Sequence, residues 1–243
     1  MTLRGVSAAI EDYLKAVYDL GETDVKTHEL AGALSVSAAS VSGMLKKLSE
    51  LNLIDYEKYR GTSLTPAGRK IALETLRHHR LLETYLAEAL GYPWHDVHDE
   101  AERLEHVISE DFETRIADAL GHPSFDPHGD PIPQLDGSLP ATRSRPLTEL
   151  PPGRPAKVTR ITDQRREVLV YLEEHGLRPG ERVTVLGRAP FGGPVTVTCG
   201  GKQLALGADL AGSLYADPEN DAETDPETHL ETGTKPNTEP DAP

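Results

Sequence analysis

The chain has 243 residues, a net charge of −15 at pH 7 and a single cysteine, Cys199. This length allows two or three small domains with buried cores, and one cysteine excludes an internal disulfide framework and is typical of a reducing compartment. No apolar run is long enough to cross a bilayer and the N-terminus has no signal-peptide pattern, so we expect a soluble, cytoplasmic protein without a membrane partner.

The negative charge is unevenly distributed. From Ala216 onward there are nine acidic residues and one lysine, a composition that cannot bury enough apolar surface to fold, so residues 217–243 are predicted to be a disordered acidic tail. Residues 76–125 hold eleven acidic and four basic residues together with six of the ten histidines, whereas residues 37–70 carry six basic and three acidic residues. The chain therefore combines a mildly basic segment with an acidic, histidine-rich one.

Residues 1–74 have the pattern of a winged helix-turn-helix DNA-binding domain. Two short amphipathic segments are joined by a tight turn, the second of them carries small polar residues and then lysines, and a basic hairpin follows. The predicted elements are helices over Ile10–Leu20, over Thr27–Leu34 and from Ser37 or Ser40 to Leu51, then strands at Leu53–Tyr56 and Ser63–Leu64 around a turn at Arg60–Gly61.

The third helix and the hairpin contain the candidate contacts to double-stranded DNA. Small side chains let a helix approach base edges, whereas hydroxyl groups and lysines reach phosphates. Any one of these residues alone is an ordinary surface residue, and the order of helix, turn, polar helix and basic wing carries the prediction. The candidates are Ser37, Ala39, Ser40, Ser42, Gly43, Lys46 and Lys47 on the helix, and Lys58, Tyr59 and Arg60 in the wing.

Residues 75–140 are predicted to form a helical metal-binding domain. Apolar spacing predicts long helices over Pro66–Ala89, with Thr65 as its N-cap, and over His98–Leu120. On the second helix the positions i, i+4, i+7 and i+8 place two imidazoles and two carboxylates on one face. These four residues are His98, Glu102, Glu105 and His106, and His79, Glu83 and Asp12 are further candidates from other helices.

Carboxylates and imidazoles without thiolates suit borderline-to-hard divalent cations. The alternative is a solvated acidic helix face. Leu104 and Val107 lie beside this stripe, however, so part of it should be buried, and buried carboxylates need a compensating cation. We therefore predict that the chain binds Mn²⁺ or Fe²⁺. His78 is predicted to be a surface residue, and no ligand role is predicted for His95, His122, His128, His175 or His229.

The remainder of the chain predicts a linker and a small β domain. Nine prolines between Pro123 and Pro155 indicate an ordered start followed by a linker over 141–152. Residues 153–216 contain short β-type runs separated by Gly and Pro, with one helix near Arg166–His175, which favours a small β-barrel-like domain. The predicted fold class is thus mainly α with small β parts.

Over nearly all of residues 7–215 the chain resembles the diphtheria toxin repressor / manganese transport regulator family. The most specific strings are IEDYLKAVYDL, ALSVSAASVSGMLKKL, YEKYRGTSLTPAGR, HHRLLETYL, HDEAERLEHVIS and GDPIPQLDG. Family members are dimers with a winged N-terminal domain, a helical metal-binding and dimerisation domain, and often a C-terminal SH3-like domain. The resemblance implies that residues 75–140 are the dimerisation domain and that residues 153–216 are the SH3-like domain. The resemblance implies a homodimer that binds a palindromic operator and represses metal-uptake genes.

The resemblance also implies two metal sites per subunit. One would use His79, Glu83 and His98, with Asp163 and Gln164 of the third domain as weaker candidates to complete it. The other would use Asp12, Glu102, Glu105 and His106.

Three positions distinguish the branches of that family. Iron-type members have Cys where Glu102 stands and Met where Asp12 stands, so the chain is manganese-type at both positions. Manganese-type members have Glu where Lys15 stands and usually lack the SH3-like domain. Iron-type members also bind an anion near an arginine matching Arg80 with Ser and Asn, where this chain has Asp126 and Asp130.

The sequence favours a Mn²⁺-dependent regulator over three alternatives. A metal-dependent hydrolase would leave the wing unexplained, and the chain lacks an HExxH motif or a nucleophile elbow, so we predict that it is not an enzyme. The two remaining rivals are an Fe²⁺-responsive member of the same family and a winged-helix regulator of a non-metal ligand. In the proposed switch a shared metal joins Asp12 to the 98–106 helix, and without it Asp12, Glu102 and Glu105 repel one another and the DNA-reading domain is loose.

Overall fold

The structure is a computed structural model that describes residues 6–57 and 60–219. Its helices are α1 (Ala8–Asp19), α2 (Thr27–Ala33), α3 (Ala38–Glu50), α4 (Pro66–Glu88), α5 (Val97–Leu104), α6 (Glu110–Ala119), α7 (Arg166–Glu174) and α8 (Ala208–Ser213). Its strands are β1 (Ile54–Glu57), β2 (Gly61–Leu64), β3 (Arg145–Pro146), β4 (Pro155–Ile161), β5 (Arg182–Arg188), β6 (Val195–Cys199), β7 (Lys202–Leu206) and β8 (Leu214–Pro218).

The predicted winged helix-turn-helix is confirmed. Helices α1, α2 and α3 enclose an apolar core that includes Leu14, Leu30 and Leu45, and β1 pairs antiparallel with β2 from Ile54↔Leu64 to Glu57↔Gly61. Ser37 is the N-cap of α3, because its hydroxyl accepts a hydrogen bond from the backbone N–H of Ser40 at 3.1 Å.

Helix α4 connects the DNA-binding domain to the second domain. It begins as predicted, with Pro66 in its first turn and the Thr65 hydroxyl accepting from the Gly68 N–H at 3.1 Å. Over its 23 residues α4 packs against α1 at one end and against α5 and α6 further along. Because one continuous helix contacts both domains, the side chains on its inner face can meet groups from α1 and α5 together.

The single helix predicted over His98–Leu120 is wrong. Helix α5 ends at Leu104 and α6 begins at Glu110, because the Ser109 hydroxyl accepts from the Phe112 N–H at 3.2 Å and caps a new helix. The β-branched pair Val107–Ile108 before this cap is a weak helix former. Consequently Glu105, whose N–H still donates to the Ala101 carbonyl at 2.9 Å, is the C-cap of α5, and His106 lies in the connection to α6.

The third domain is an antiparallel sheet with the strand order β3-β8-β4-β5-β6-β7, packed with α7 and α8. The SH3-like β domain is therefore present, but within the described residues the sheet has two ends and is not the closed barrel that the sequence suggested. Its core includes Ile161, Leu172 and Val197. It also includes Trp94, which comes from the loop between α4 and α5 and thus links the second domain to the third.

Two predicted segment boundaries differ from the structure. Within the predicted linker, Arg145 and Pro146 form β3, and Leu147 and Leu150 are buried in the core of the third domain. Strand β8 runs to Pro218, so the first two residues of the predicted tail belong to the sheet. The rest of that tail, from residue 220, lies outside the described residues.

Among the helices of the described ranges, none combines the length and the apolar character that crossing a membrane requires.

Candidate metal centre and DNA-reading face

A cavity of about 420 Å³ lies where α1, α4, α5 and the third domain meet. Its lining is dominated by charged and polar side chains, which is unusual for a buried space unless cations or mutual pairing compensate them. The ionisable residues that line it are Lys15, Asp19, His79, Arg80, Glu83, His98, Glu102, Asp126, Asp130 and Arg160.

The predicted triad of His79, Glu83 and His98 is brought together. The Nε2 of His79 lies 3.0 Å from Glu83 Oε1 and 3.1 Å from His98 Nδ1, and His98 Nδ1 lies 3.1 Å from the same Glu83 oxygen. Burial alone lowers the pKa of His79, but the charge of Glu83 and the hydrogen bonds to Glu105 and Glu83 raise it to about 10. Burial alone raises the pKa of Glu83, but the charge of His79 and hydrogen bonds from the surrounding histidines hold it well below its ordinary value.

Asp12 and His106 meet although 94 positions separate them. His106 Nε2 lies 2.7 Å from Asp12 Oδ1 and 3.4 Å from Glu105 Oε1. The other ring nitrogen, Nδ1, lies 2.5 Å from Oε2 of Glu11, which the sequence reasoning missed. A carboxylate behind a histidine fixes the ring and leaves its second nitrogen for a metal. The cluster of Asp12, Glu105 and His106 thus has the arrangement of a ligand set.

Glu102 and Glu105 are held by a cation from the protein itself. The ammonium group of Lys15 lies 2.6 Å from Oε1 of each carboxylate. Glu105 Oε2 also lies 2.5 Å from His79 Nδ1, which links the two clusters described above. The ammonium of Lys15 therefore offsets the repulsion expected between Glu102 and Glu105, and it pairs α1 with both of them.

Asp126 and His128 form a further cluster with Glu83, and the sequence reasoning assigned no ligand role to either. His128 Nδ1 lies 3.6 Å from Glu83 Oε2, and the carboxylate of Asp126 contributes a third ligand atom. Within the described part of the chain, His128 Nδ1 and Asp126 Oδ2 are buried atoms without a hydrogen-bond partner. Burial, followed by the charges of Glu83 and Asp130, raises the pKa of Asp126 well above its ordinary value. Only the pairing with a residue 45 positions away identifies His128, so no local spacing could have revealed it.

The third domain borders this cluster directly. Gln164 Nε2 donates to Asp130 Oδ2 at 2.6 Å, and the backbone N–H of Ile161 donates to the His128 carbonyl at 2.9 Å. A Cβ atom at Gly129 would lie 1.8 Å from the Thr159 carbonyl oxygen, so the two backbones approach closely. Of the two weaker candidates, Gln164 lines the cavity, whereas the carboxylate of Asp163 is paired with Arg165 at 2.7 Å.

The remaining predictions for histidines and for Arg80 have mixed outcomes. His78 is not a surface residue: its Nε2 lies 3.2 Å from Glu113 Oε2, and its side chain is only 13% exposed. His122 and His175 make local contacts on the surface, with Asp118 and Tyr171 respectively, and His95 pairs with Glu173. Arg80 donates to the Pro131 carbonyl at 2.6 Å and lies 4.0 Å from Asp126. The Asp126 carboxylate therefore already faces the Arg80 guanidinium. His229 lies outside the described residues.

The residues present fit a divalent cation. Four groups of side chains place carboxylate oxygens and imidazole nitrogens within 4.8 Å of one another: His79–Glu83–His98, Asp12–Glu105–His106, His79–Glu102–Glu105 and Glu83–Asp126–His128. The unpartnered Asp126 Oδ2 and His128 Nδ1 are the kind of buried atoms that a metal ion would satisfy. The donor set contains oxygen and nitrogen but no sulfur, which suits Mn²⁺ and Fe²⁺ better than softer ions.

The candidate DNA contacts of α3 form one exposed face. Ser37, Ala39, Ser40, Ser42, Gly43, Lys46 and Lys47 are all exposed, whereas Val41, Leu45 and Leu48 of the same helix are buried. In the wing, Arg60 is exposed and its carbonyl accepts a hydrogen bond from Lys26 Nζ at 2.6 Å. Lys58 and Tyr59 lie outside the described residues. The small residues therefore lie at the N-terminus of α3, and Lys46 and Lys47 lie one to two helical turns further along it.

A winged DNA-binding domain joined to a cluster of carboxylates and imidazoles is the arrangement of a metal-responsive DNA-binding protein. Comparison with known proteins identifies the family. Residues 6–62 match the N-terminal DNA binding domain of iron-dependent repressors. Residues 65–134 match their metal binding and dimerisation domain, and residues 145–218 match the FeoA domain.

Individual relatives agree with this result. The iron-dependent repressor IdeR of Mycobacterium leprae is 34% identical over 215 residues, which cover 83% of this chain and 93% of the relative. The structure of a manganese-dependent transcriptional repressor in complex with manganese is similar with a TM-score of 0.81 and 38% identity, over 86% of this chain and 100% of that one. The manganese regulator SloR gives a TM-score of 0.73 and 34% identity, over 86% and 98% of the two chains.

The chain therefore belongs to the iron-dependent repressor family, whose members include the diphtheria toxin repressors. It is a metal-dependent transcriptional repressor with a DNA-binding domain, a dimerisation domain and a C-terminal FeoA domain.

Proposed function

We propose that the chain is a Mn²⁺-responsive repressor of metal-uptake genes, which binds a palindromic operator as a homodimer and takes two metal ions per subunit. It acts by binding and not by catalysis. The observation that carries the choice of metal is the donor set: Asp12 and Glu102 are carboxylates, and within the described residues no sulfur atom joins the clusters around them. Of the candidate ions Mn²⁺ depends least on soft ligands, since affinity at softer sites rises from Mn²⁺ through Fe²⁺ to Co²⁺.

The two metal positions would be separate but linked. One uses Asp12, Glu105 and His106, with Glu102 beside them. The other is centred on Glu83, which faces His79 and His98 with one oxygen and His128 with the other. A bound divalent cation would add positive charge to these two clusters of carboxylates.

The protein's own residues explain how the first position can control DNA binding. Asp12 belongs to α1 in the DNA-binding domain, whereas Glu105 and His106 belong to the connection between α5 and α6 in the dimerisation domain. Metal ligands that come from both domains restrict the angle between the two domains. Two recognition helices of a dimer then reach successive major grooves about 34–36 Å apart. Because only one orientation matches that spacing, metal affinity and operator affinity are coupled.

A metal titration of DNA binding tests this proposal. Palindromic duplexes are first selected from a random library with the Mn²⁺-loaded protein, and affinity for a selected duplex is then measured against Mn²⁺, Fe²⁺ under anaerobic conditions, Co²⁺ and Zn²⁺. We expect Mn²⁺ to strengthen binding to the palindrome and not to a scrambled duplex of equal length. Affinity that is the same with chelator and with every metal would contradict metal control and favour a regulator of a non-metal ligand.

An Fe²⁺-responsive repressor is the second candidate. It is favoured by the relatives named iron-dependent repressors, which match the whole length of the three domains. The same titration separates the two candidates, because an Fe²⁺-responsive repressor should reach half-maximal DNA binding at a lower concentration of Fe²⁺ than of Mn²⁺.

A further inference from the structure

Lys15 projects from α1 into the ligand cluster of the second domain. Its ammonium nitrogen lies 2.6 Å from Oε1 of Glu102 and 2.6 Å from Oε1 of Glu105. The Lys15 side chain is 12% exposed and that of Glu105 is fully buried, so this pair is shielded from water. Three residues before Lys15, on the same helix, Asp12 reaches His106.

One oxygen of the Glu105 carboxylate faces both the Lys15 ammonium and the imidazole of His106. Oε1 of Glu105 lies 2.6 Å from the Lys15 ammonium and 3.4 Å from Nε2 of His106. A cation held by Asp12, Glu105 and His106 would need the charge of the oxygen that the ammonium already neutralises. Two positive groups at one oxygen repel strongly in a site with little water, so the ammonium and the metal compete.

We propose that the ammonium group of Lys15 is a counter-cation that the metal must displace, and that this displacement sets the metal concentration at which the repressor switches to DNA binding. This inference rests on the proposed metal response. Without metal it neutralises Glu102 and Glu105 and keeps them in place. With metal it must withdraw its ammonium group from Glu105. Lys15 is thus a residue that determines affinity without being a ligand.

The fold provides a place for the displaced ammonium. Asp19 stands four residues after Lys15 on α1, which is the spacing of neighbours on one helix face, and both residues line the same cavity. A lysine has a flexible four-carbon stem and a point charge, so it can exchange one carboxylate partner for another without moving the backbone.

Three variants of the full-length chain test the proposal. Lys15→Met removes the charge and keeps a linear apolar side chain, whereas Lys15→Arg keeps the charge. Lys157→Met is the matched control, because it makes the same change at an exposed position on β4 in the third domain. Each protein is titrated with Mn²⁺ in a calorimeter, and the thermal unfolding of the metal-free form is recorded.

The expected result is a pair of opposite effects in Lys15→Met. The Mn²⁺ concentration that half-saturates the site at Glu105 should fall by about tenfold, since one buried competitor for that carboxylate is gone. The metal-free protein should unfold at a lower temperature, since Glu102 and Glu105 lose the ammonium group that they share. Lys15→Arg should stay within about threefold of the unmodified chain because a guanidinium also pairs with carboxylates. Lys157→Met should change neither measurement.

The outcomes separate this inference from the proposed function. If the unmodified chain binds Mn²⁺ and Lys15→Met binds it with unchanged or weaker affinity, Lys15 does not compete and the inference is wrong while the metal response stands. If the unmodified chain binds no Mn²⁺, the proposed function fails and the inference fails with it. Should metal-free Lys15→Met not fold, Lys15→Gln provides the same comparison with a polar, uncharged side chain.

Discussion

The backbone carbonyl of Trp94 accepts a hydrogen bond from Nε2 of His128 at 2.8 Å, while the indole ring of Trp94 packs in the core of the third domain. Because Nε2 of His128 carries the donated proton, the neutral ring keeps a lone pair on Nδ1, the atom that faces Glu83. The guanidinium of Arg178 lies over the Trp94 ring at 4.9 Å. One residue therefore joins the third domain to the candidate metal cluster.

We expect Trp94→Ala to lower the free energy of unfolding by about 3–5 kcal/mol, the usual cost of emptying a large aromatic site in a core. Metal affinity at the Glu83 cluster should also fall, because the loop that presents His128 loses its support. Urea denaturation and calorimetric Mn²⁺ titration measure the two effects. Trp94→Phe is the control and should show smaller decreases in both. A drop in stability without any change in metal affinity would show that Trp94 supports the third domain alone.

Glu83→Gln and Asp12→Asn should each remove one of two metal ions. Glu83 belongs to both clusters of the inner position and Asp12 only to the cluster at α1, so the two effects should be independent. Bound Mn²⁺ is counted by equilibrium dialysis, with an expected change from two ions per subunit to one in each variant. If either variant releases both ions, the positions are not separate as proposed.

Glu102→Cys combined with Asp12→Met should shift selectivity from Mn²⁺ toward Co²⁺ or Fe²⁺. Thiolate and thioether ligands are softer than carboxylates, and Mn²⁺ gains least from them. The measurement is the ratio of the Mn²⁺ and Co²⁺ concentrations that give half-maximal operator binding. Glu100→Cys, on the same helix but outside the clusters, controls for adding a thiol. An unchanged ratio would mean that ligand softness does not set the preference.

Glu113 and His78 should make stability depend on pH in a defined window. Burial alone raises the pKa of Glu113, but the hydrogen bond and charge of His78, followed by those of Arg77, lower it below 4.5. Burial alone lowers the pKa of His78, but the hydrogen bond to Glu113 and its charge raise it above 6.5. Stability from a lowered carboxyl pKa is complete above 4.5 and is lost as pH falls through the folded-state pKa. Stability from a raised histidine pKa is complete below 6.5 and is lost as pH rises through the folded-state pKa.

Glu113→Gln should therefore cost most between pH 4.5 and 6.5, where both groups of the pair are charged, and less on either side. We expect a decrease of about 1–3 kcal/mol in that window, because Arg77 and His78 keep buried polar groups without their partner. Chemical denaturation at a series of pH values measures it. Glu110→Gln, exposed on the same helix, should cost less than about 0.5 kcal/mol throughout. A cost of Glu113→Gln that is constant over the whole pH series would contradict the assigned pairing.

On DNA, Lys47→Ala and Arg60→Ala should weaken binding to the operator and to scrambled duplex about equally. Each variant should also reduce the slope of log K against log salt, by about one unit for each phosphate contact that is lost in a half-site. Ala39→Ser, at the front of the recognition helix, should instead change which sequence is preferred and leave that slope nearly unchanged. If Arg60→Ala changes the preferred sequence but not the slope, the wing reads bases.

The sequence by itself determined the features that depend on near neighbours. Periodic apolar residues and the caps Ser37 and Thr65 act within one or two helical turns, so α1 to α4 and the wing could be predicted closely. The choice of carboxylate and imidazole residues also indicated the metal chemistry, because ligand type is a property of each side chain.

Only the tertiary structure decided which of these side chains meet. Lys15 pairs with Glu102 across 87 positions, and His128 reaches Glu83 only because the loop around Gly129 is pressed against the third domain. The helix break after Leu104 was likewise not predicted, and the contacts of Glu105 with Lys15 and His79 join residues that are 90 and 26 positions apart. Contacts of this kind depend on the packing of whole helices and domains, whose free energy is shared among many residues, so no local spacing encodes them.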